Sequence, residues 1–213
     1  MSGNFEKNNT NNEIMEKPIS EKKKKTFLGV SGPLGVVLEW AILLIVAFAV
    51  AMVIRNHVFI VVRVYGPSMD YTLAENDWLY VHRFMYTPQR GHIVIFEPPI
   101  QDPNKSVFIK RVIAVEGDSI YIDSNSGNVY LNGELKDEPY IRGTTHSGTF
   151  MQDMHVSRDN PFVVPDGYIF VMGDNRPRSQ DSRNREVGPI STDAVMGRAV
   201  FRLWPFRNFG TLQ

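Results

Sequence analysis

One stretch constrains this chain more than any other. Val36 to Ile54 (VVLEWAILLIVAFAVAMVI) runs for 19 residues with a single charge, Glu39. As a helix rising 1.5 Å per residue it measures roughly 28 Å, close to a bilayer core of about 30 Å. Such a run can be a buried core helix, a cleaved leader or an uncleaved anchor. A soluble core seldom covers a helix that is apolar on every side. About 35 residues precede the run and no small-x-small site follows it closely, which argues against a cleaved leader. The pattern predicts a transmembrane anchor over residues 34–56.

Charge orients that anchor. Residues 1–33 are rich in Asn, poor in apolar residues and carry the basic run Lys22 to Lys25. Too little apolar surface is present to offset the entropy of ordering, so this segment reads as a disordered tail. Its formal charge is +2 and that of the remaining chain is −2. The positive-inside rule then leaves the tail in the cytoplasm and residues 57–213 outside the cell membrane. Over the whole chain 23 basic residues balance 23 acidic ones, which argues against a dedicated nucleic-acid binder. There is no cysteine, which excludes disulfide frameworks, thiolate zinc sites, iron–sulfur clusters and cysteine nucleophiles.

Beyond the anchor the chain reads as mainly β. Strands are expected at 57–65, 77–83, 93–96, 107–115, 119–122, 163–164, 168–172 and 194–203, where β-branched and aromatic residues gather. Val129 to Leu135 reads as a hairpin around Asn132-Gly133, a pair suited to a type I′ turn. Residues 123–165 are polar and turn-rich, and are expected to form a small cap on the main sheet.

Residues that could carry chemistry are scattered. The five histidines show no H-E-x-x-H pattern and no pair three or four apart, so metal binding has little support. A Ser-His-Asp triad remains open, because its members need not be close in sequence. Ser68 lies in Gly66-Pro-Ser-Met-Asp70, which breaks the G-x-S-x-G elbow at its last position. It can equally be an ordinary turn serine. Lys110 lies mid-strand in Val107-Phe-Ile-Lys-Arg-Val-Ile-Ala-Val115. Alternation places Phe108, Lys110 and Val112 on one face, and Ile109, Arg111 and Ile113 on the other. A snorkelling lysine on an edge strand would look the same. Gly173 to Arg183 (GDNRPRSQDSR) interleaves two carboxylates, three arginines and two serines. That can be a solvated, salt-bridged loop. Calcium loop spacing is absent and the arginines would oppose a cation.

Taken in order, these stretches resemble the bacterial type I signal peptidases, or leader peptidases, in the short single-span form. The resemblance rests on Gly66 to Leu73 (GPSMDYTL), Gly91 to Phe96 (GHIVIF), Phe108 to Asp118 (FIKRVIAVEGD), Gly173 to Arg183 and Arg198 to Phe206 (RAVFRLWPF), and covers about residues 36–207. It implies an antiparallel-sheet catalytic domain, no cofactor and a serine–lysine dyad, with Ser68 as nucleophile and Lys110 as general base. A free lysine titrates near ~10.4 and is charged at neutral pH, so it must be desolvated to accept a proton. The resemblance further implies that Ser179 orients the lysine by a hydrogen bond. Asp174, Asp181, Arg183, Arg111 and Met69 would support the site. Val62, Val64, Leu73, Phe108 and Ile109 would line pockets for the small residues of an A-x-A cleavage site. The implied partners are signal-peptide-bearing precursors and the lipid bilayer, with no nucleic acid and no metal. Four positions depart from the family's common residues. Gly66 replaces a serine found in some members, Tyr71 a proline, His92 an aspartate and Ala114 a glycine. A catalytically silent relative that only binds precursors is the alternative that Tyr71 and His92 raise.

Overall fold

The computed structural model describes residues 33–100 and 107–212. The chain divides into one unit ending at Ala49 and a second running from Val50 to Gln213. The expected disordered tail lies, apart from Pro33, outside the described residues.

The apolar run forms helix α1 (Pro33–His57). Its Pro33–Val53 portion is long and apolar enough to cross a membrane. Leu34, Leu44 and Phe48 are all exposed, so among the described residues no protein core covers this helix. The helix persists to His57, which delays the first strand. β1 is Phe59–Arg63 rather than the 57–65 expected from its β-branched run.

The second unit is built from antiparallel strands. β2 (Trp78–His82), β3 (Ile93–Phe96) and β4 (Phe108–Val115) precede a smaller set, β5 (Ser119–Ile122), β6 (Val129–Leu131) and β7 (Glu134–Leu135). Helix α2 (Gly148–Asp153) and β8 (Phe162–Val163) come next. The chain then returns through β9 (Tyr168–Met172), β10 (Ile190–Ser191), β11 (Val195–Trp204) and β12 (Gly210–Thr211). The main sheet has the order β1-β2-β11-β3-β4-β9-β10, with β12 also paired to β11. A second sheet has the order β7-β6-β5-β8. It takes in β5, so the cap begins at Ser119 instead of residue 123. The Asn132-Gly133 hairpin forms as its turn chemistry requires, with both residues at positive φ.

Two apolar clusters position the site. One joins Val64, Met69, Leu73, Val81, Ile93, Ile95 and Ile109 beneath the β1–β2 end of the sheet. The other locks the two sheets together, with Ile113, Ala114, Phe170 and Met172 of the main sheet against Ile120, Ile122, Val129 and Met151. The β4–β9 register shifts between Val112 and Ala114. Strict alternation therefore ends there, and Ile113 and Ala114 enter the same cluster. Ahead of that shift β4 keeps its alternation, with Phe108 and Val112 together in a third cluster and Ile109 in the first.

Candidate active site

Ser68 sits in the turn that leaves β1. Gly66 opens the turn at φ 77°, a left-handed conformation in which a serine would be strained. The Asp70 N–H donates to the Pro67 carbonyl (3.0 Å) and the Leu73 N–H to that of Met69 (2.8 Å). Met69 and Leu73 are buried in the cluster with Val64 and Ile109, which pins the turn to the core. Tyr71 comes soon after, at φ 95°. A proline ring cannot adopt that angle, so this departure alters the backbone as well as the side chain.

Lys110 arrives from β4. That strand lies between β3 and β9, but its ladder with β9 begins only at Arg111, so burial rather than sheet position separates Lys110 from a snorkelling edge-strand lysine. The lysine is 3% exposed. Its Nζ donates to Ser68 Oγ (2.9 Å) and to the Ile109 carbonyl (3.0 Å), and stands 4.9 Å from the Phe108 ring centre. A site this dry disfavours the ammonium relative to the amine. No histidine lines the groove at Ser68 among the described residues, which leaves the triad reading without support.

The loop after β9 closes on the same turn. The Asn175 N–H donates to the Ser68 carbonyl and its Nδ2 to the Pro67 carbonyl, both at 3.0 Å. Gly173 allows this approach. A Cβ there would fall 2.4 Å from the Ser68 carbonyl oxygen and 2.3 Å from Ser179 Oγ. Ser179 Oγ is itself buried and makes no hydrogen bond among the described residues. The bond to Lys110 implied by the family resemblance is therefore not formed. Ser179 lies near enough to the Asp181 carboxylate to favour its charge, yet without hydrogen-bond geometry.

Buried ion pairs hold that loop. Arg111 grips Asp174 with two bonds of 2.9 and 2.8 Å, and both side chains are almost fully buried. Thr72 Oγ1 also donates to Asp174, which ties the Ser68 turn to the loop. Arg183 holds Asp181 through Nε (2.8 Å) and Nη2 (2.9 Å), and the Gly173 N–H donates to the same carboxylate (2.9 Å). Burial pushes the Asp181 carboxyl up, but the Arg183 guanidinium and these donors outweigh it and hold it below its usual range. Arg176 is paired with Glu138 of the cap at 2.8 and 2.7 Å.

A groove of about 670 Å³ opens beside Ser68 and Lys110. Val62, Val64, Phe108 and Ile109 line it, as do Ser68, Met69 and Lys110. Leu73 does not; it packs behind the groove in the core. Of the supporting residues, Asp174, Asp181, Arg111 and Arg183 meet in the loop network, while Met69 anchors the turn. The sequence reading assigned no role to Gly173, Asn175, Glu138 or Thr72. The first two lie inside the quoted loop, so their motif was visible and their contacts were not. Tyr65, Trp78, Arg178 and Gln180 also line the groove and were not expected there.

His92 bonds through Nδ1 to the Tyr86 hydroxyl (2.9 Å). Burial, then the Arg198 charge, lowers its pKa and favours the neutral ring.

Comparison with known proteins identifies the family. A family model described as signal peptidase, peptidase S26, matches residues 37–204. Signal peptidase IB of Staphylococcus aureus (strain COL) is 33% identical over 184 residues, covering 81% of this chain and 92% of the relative. Signal peptidase I of Bacillus licheniformis is 34% identical over 173 residues, covering 80% and 90%. A crystal structure of a signal peptidase I from Enterococcus faecalis V583 aligns with 28% identity and a TM-score of 0.40, over 53% of this chain and 97% of that one. A match that spans the helix, the Ser68 turn, Lys110 and the 173–183 loop places this protein in the signal peptidase family, peptidase S26.

Proposed function

We propose that this protein is a membrane-anchored serine endopeptidase that removes N-terminal signal peptides from secreted precursors, with Ser68 as nucleophile and Lys110 as base. The observation that carries the reading is the 2.9 Å bond between Lys110 Nζ and Ser68 Oγ at a nearly dry lysine. Ser68 Oγ attacks the scissile carbonyl as its proton passes to the neutral amine of Lys110. The tetrahedral oxyanion is met by main-chain N–H donors at the turn, Ser68 first among them. Collapse of this intermediate breaks the C–N bond, and Lys110 returns the proton to the departing amine. An ester of Ser68 remains. Lys110 then deprotonates a water that hydrolyses the ester and frees Ser68.

Substrate would enter as an extended strand. β1 pairs only with β2, and the β4–β9 ladder starts at Arg111. Among the described residues, β1 thus presents an outer strand edge, and β1 and Phe108–Lys110 both line the groove. Main-chain pairing to such edges supplies affinity and pockets for alternate side chains supply specificity. The apolar walls formed by Val62, Val64, Phe108 and Ile109 favour small-x-small sequences. Helix α1 would hold the site beside membrane-bound precursors and raise their effective concentration.

The test is cleavage of a precursor bearing an A-x-A site by the full chain in detergent, alongside Ser68→Ala and Lys110→Ala. Loss of at least ~10³-fold in both variants, with precursor still crosslinked, is expected for residues acting as one unit. Undiminished cleavage by Ser68→Ala would sink the proposal. Binding without cleavage by the native chain would instead make it a silent precursor-binding module.

A further inference from the structure

The groove carries a charge bias that its apolar walls do not explain. Its charged lining residues are Arg63, Lys110 and Arg178, and no carboxylate lines it among the described residues. Lys110 is buried and committed to Ser68. Arg63 and Arg178 are exposed at the rim. The Arg63 guanidinium bonds to Asn76 Oδ1 at 3.1 and 2.6 Å. That partner is neutral, so the positive charge is held in place with no carboxylate paired to it among the described residues.

Strand geometry decides which substrate residue meets this charge. Along β1 the side chains alternate, with Val62 and Val64 directed toward the core and Val61, Arg63 and Tyr65 exposed. A peptide pairing with the β1 edge alternates in the same way. Its two small residues share the face of Val62 and Val64. The residue between them shares the face of Arg63, and neighbours on one face of a sheet interact. Arg178, on the loop that closes over the Ser68 turn, adds a second cation to the rim.

We infer that Arg63 and Arg178 are specificity determinants that favour an acidic residue, and disfavour a basic one, at the middle position of the small-x-small cleavage sequence. This rests on the peptidase reading above. Neither arginine touches the reacting atoms; both act on the ground-state and transition-state complexes through charge. Exposed ion pairs are individually weak and are screened by salt. The combined preference is therefore moderate, about fivefold to tenfold in kcat/KM between Glu and Lys, at low ionic strength.

The experiment uses three precursors that differ only at that position, A-E-A, A-Q-A and A-K-A, with the full chain in neutral detergent. The native protein is expected to cut them in the order Glu, Gln, Lys. The Glu-to-Lys ratio should fall toward one in 1 M NaCl, and should invert in the double variant Arg63→Glu/Arg178→Glu. A ratio of one in the native protein at low salt overturns the inference, as does a ratio that survives charge reversal. If the double variant does not fold, the salt series on the native chain decides alone, and a ratio unchanged by salt overturns the inference. Failure to cut A-Q-A at all would overturn the peptidase reading itself, and this inference with it.

Discussion

At the residue scale, the site depends on atoms that are missing as much as on those present. Gly173 has no side chain, and that lets the loop after β9 reach the Ser68 carbonyl. Adding one methyl group there forces the Ser68 turn or Ser179 aside, because the clash distances of 2.3 and 2.4 Å leave no room. Gly173→Ala is expected to reduce kcat by roughly 10²-fold, the scale of a 1 Å misplacement at a reacting group. Precursor affinity should change little, since the groove walls on β1 and β4 are untouched. Single-turnover cleavage and precursor crosslinking separate the two. An equal loss in both would mean that the loop shapes the groove and not the dyad. Tyr71 shows the converse, where a bulky residue adopts an angle normally left to glycine. Its identity was legible in the sequence, but its φ of 95° was not, because no local pattern announces it.

At the element scale, strand β4 and the 173–183 loop bring the chemistry together. Ile93–Phe96, Ser119–Ile122, Val129–Leu131 and Tyr168–Met172 form with the bounds that their composition and turn residues suggest. Those signals are local, so a single sequence displays them. Helix α2 escaped notice because six residues with no capping side chain carry no readable period. The two-residue strands β10 and β12 are equally silent. The loop's ion pairs were legible as residue types, but their partners were not. Arg176 finds Glu138 across 38 positions and Arg111 finds Asp174 across 63.

The Asp181–Arg183 pair makes a prediction at this same scale. The folded protein depresses the Asp181 pKa. Its stabilising contribution is therefore complete above the unfolded value near ~3.9, and is lost as pH falls below that toward the folded value. Asp181→Asn leaves Arg183 buried without a counter-charge and is expected to cost about 3 kcal/mol or more at neutral pH. Urea midpoints at pH 7 and pH 3.5 check this. The gap between native and variant should narrow at the lower pH, and a gap independent of pH would contradict the assignment.

At the scale of the whole molecule, one helix and one β unit divide the work. The helix is apolar on every side, and from the charge asymmetry around it we propose a cytoplasmic N-terminus. The absence of cysteine allows a direct check, since any single introduced thiol reports alone. A membrane-impermeant maleimide added to intact cells should label Asn125→Cys, on the exposed β5–β6 turn, and should leave Ser2→Cys unlabelled until the membrane is opened. The reverse pattern would overturn the orientation. The sequence by itself determined the long apolar helix, the β character of the chain beyond it and the residue types of the site. These depend on composition and short-range period, which are written locally along the chain. Only the tertiary structure decided that Lys110 is buried against Ser68, that Leu73 sits behind the groove, that Ser179 does not bond Lys110, and that Arg63 and Arg178 share the groove's rim. Each of these depends on which strands pair and where the β4 register shifts, and such pairings join residues tens of positions apart that no local pattern connects.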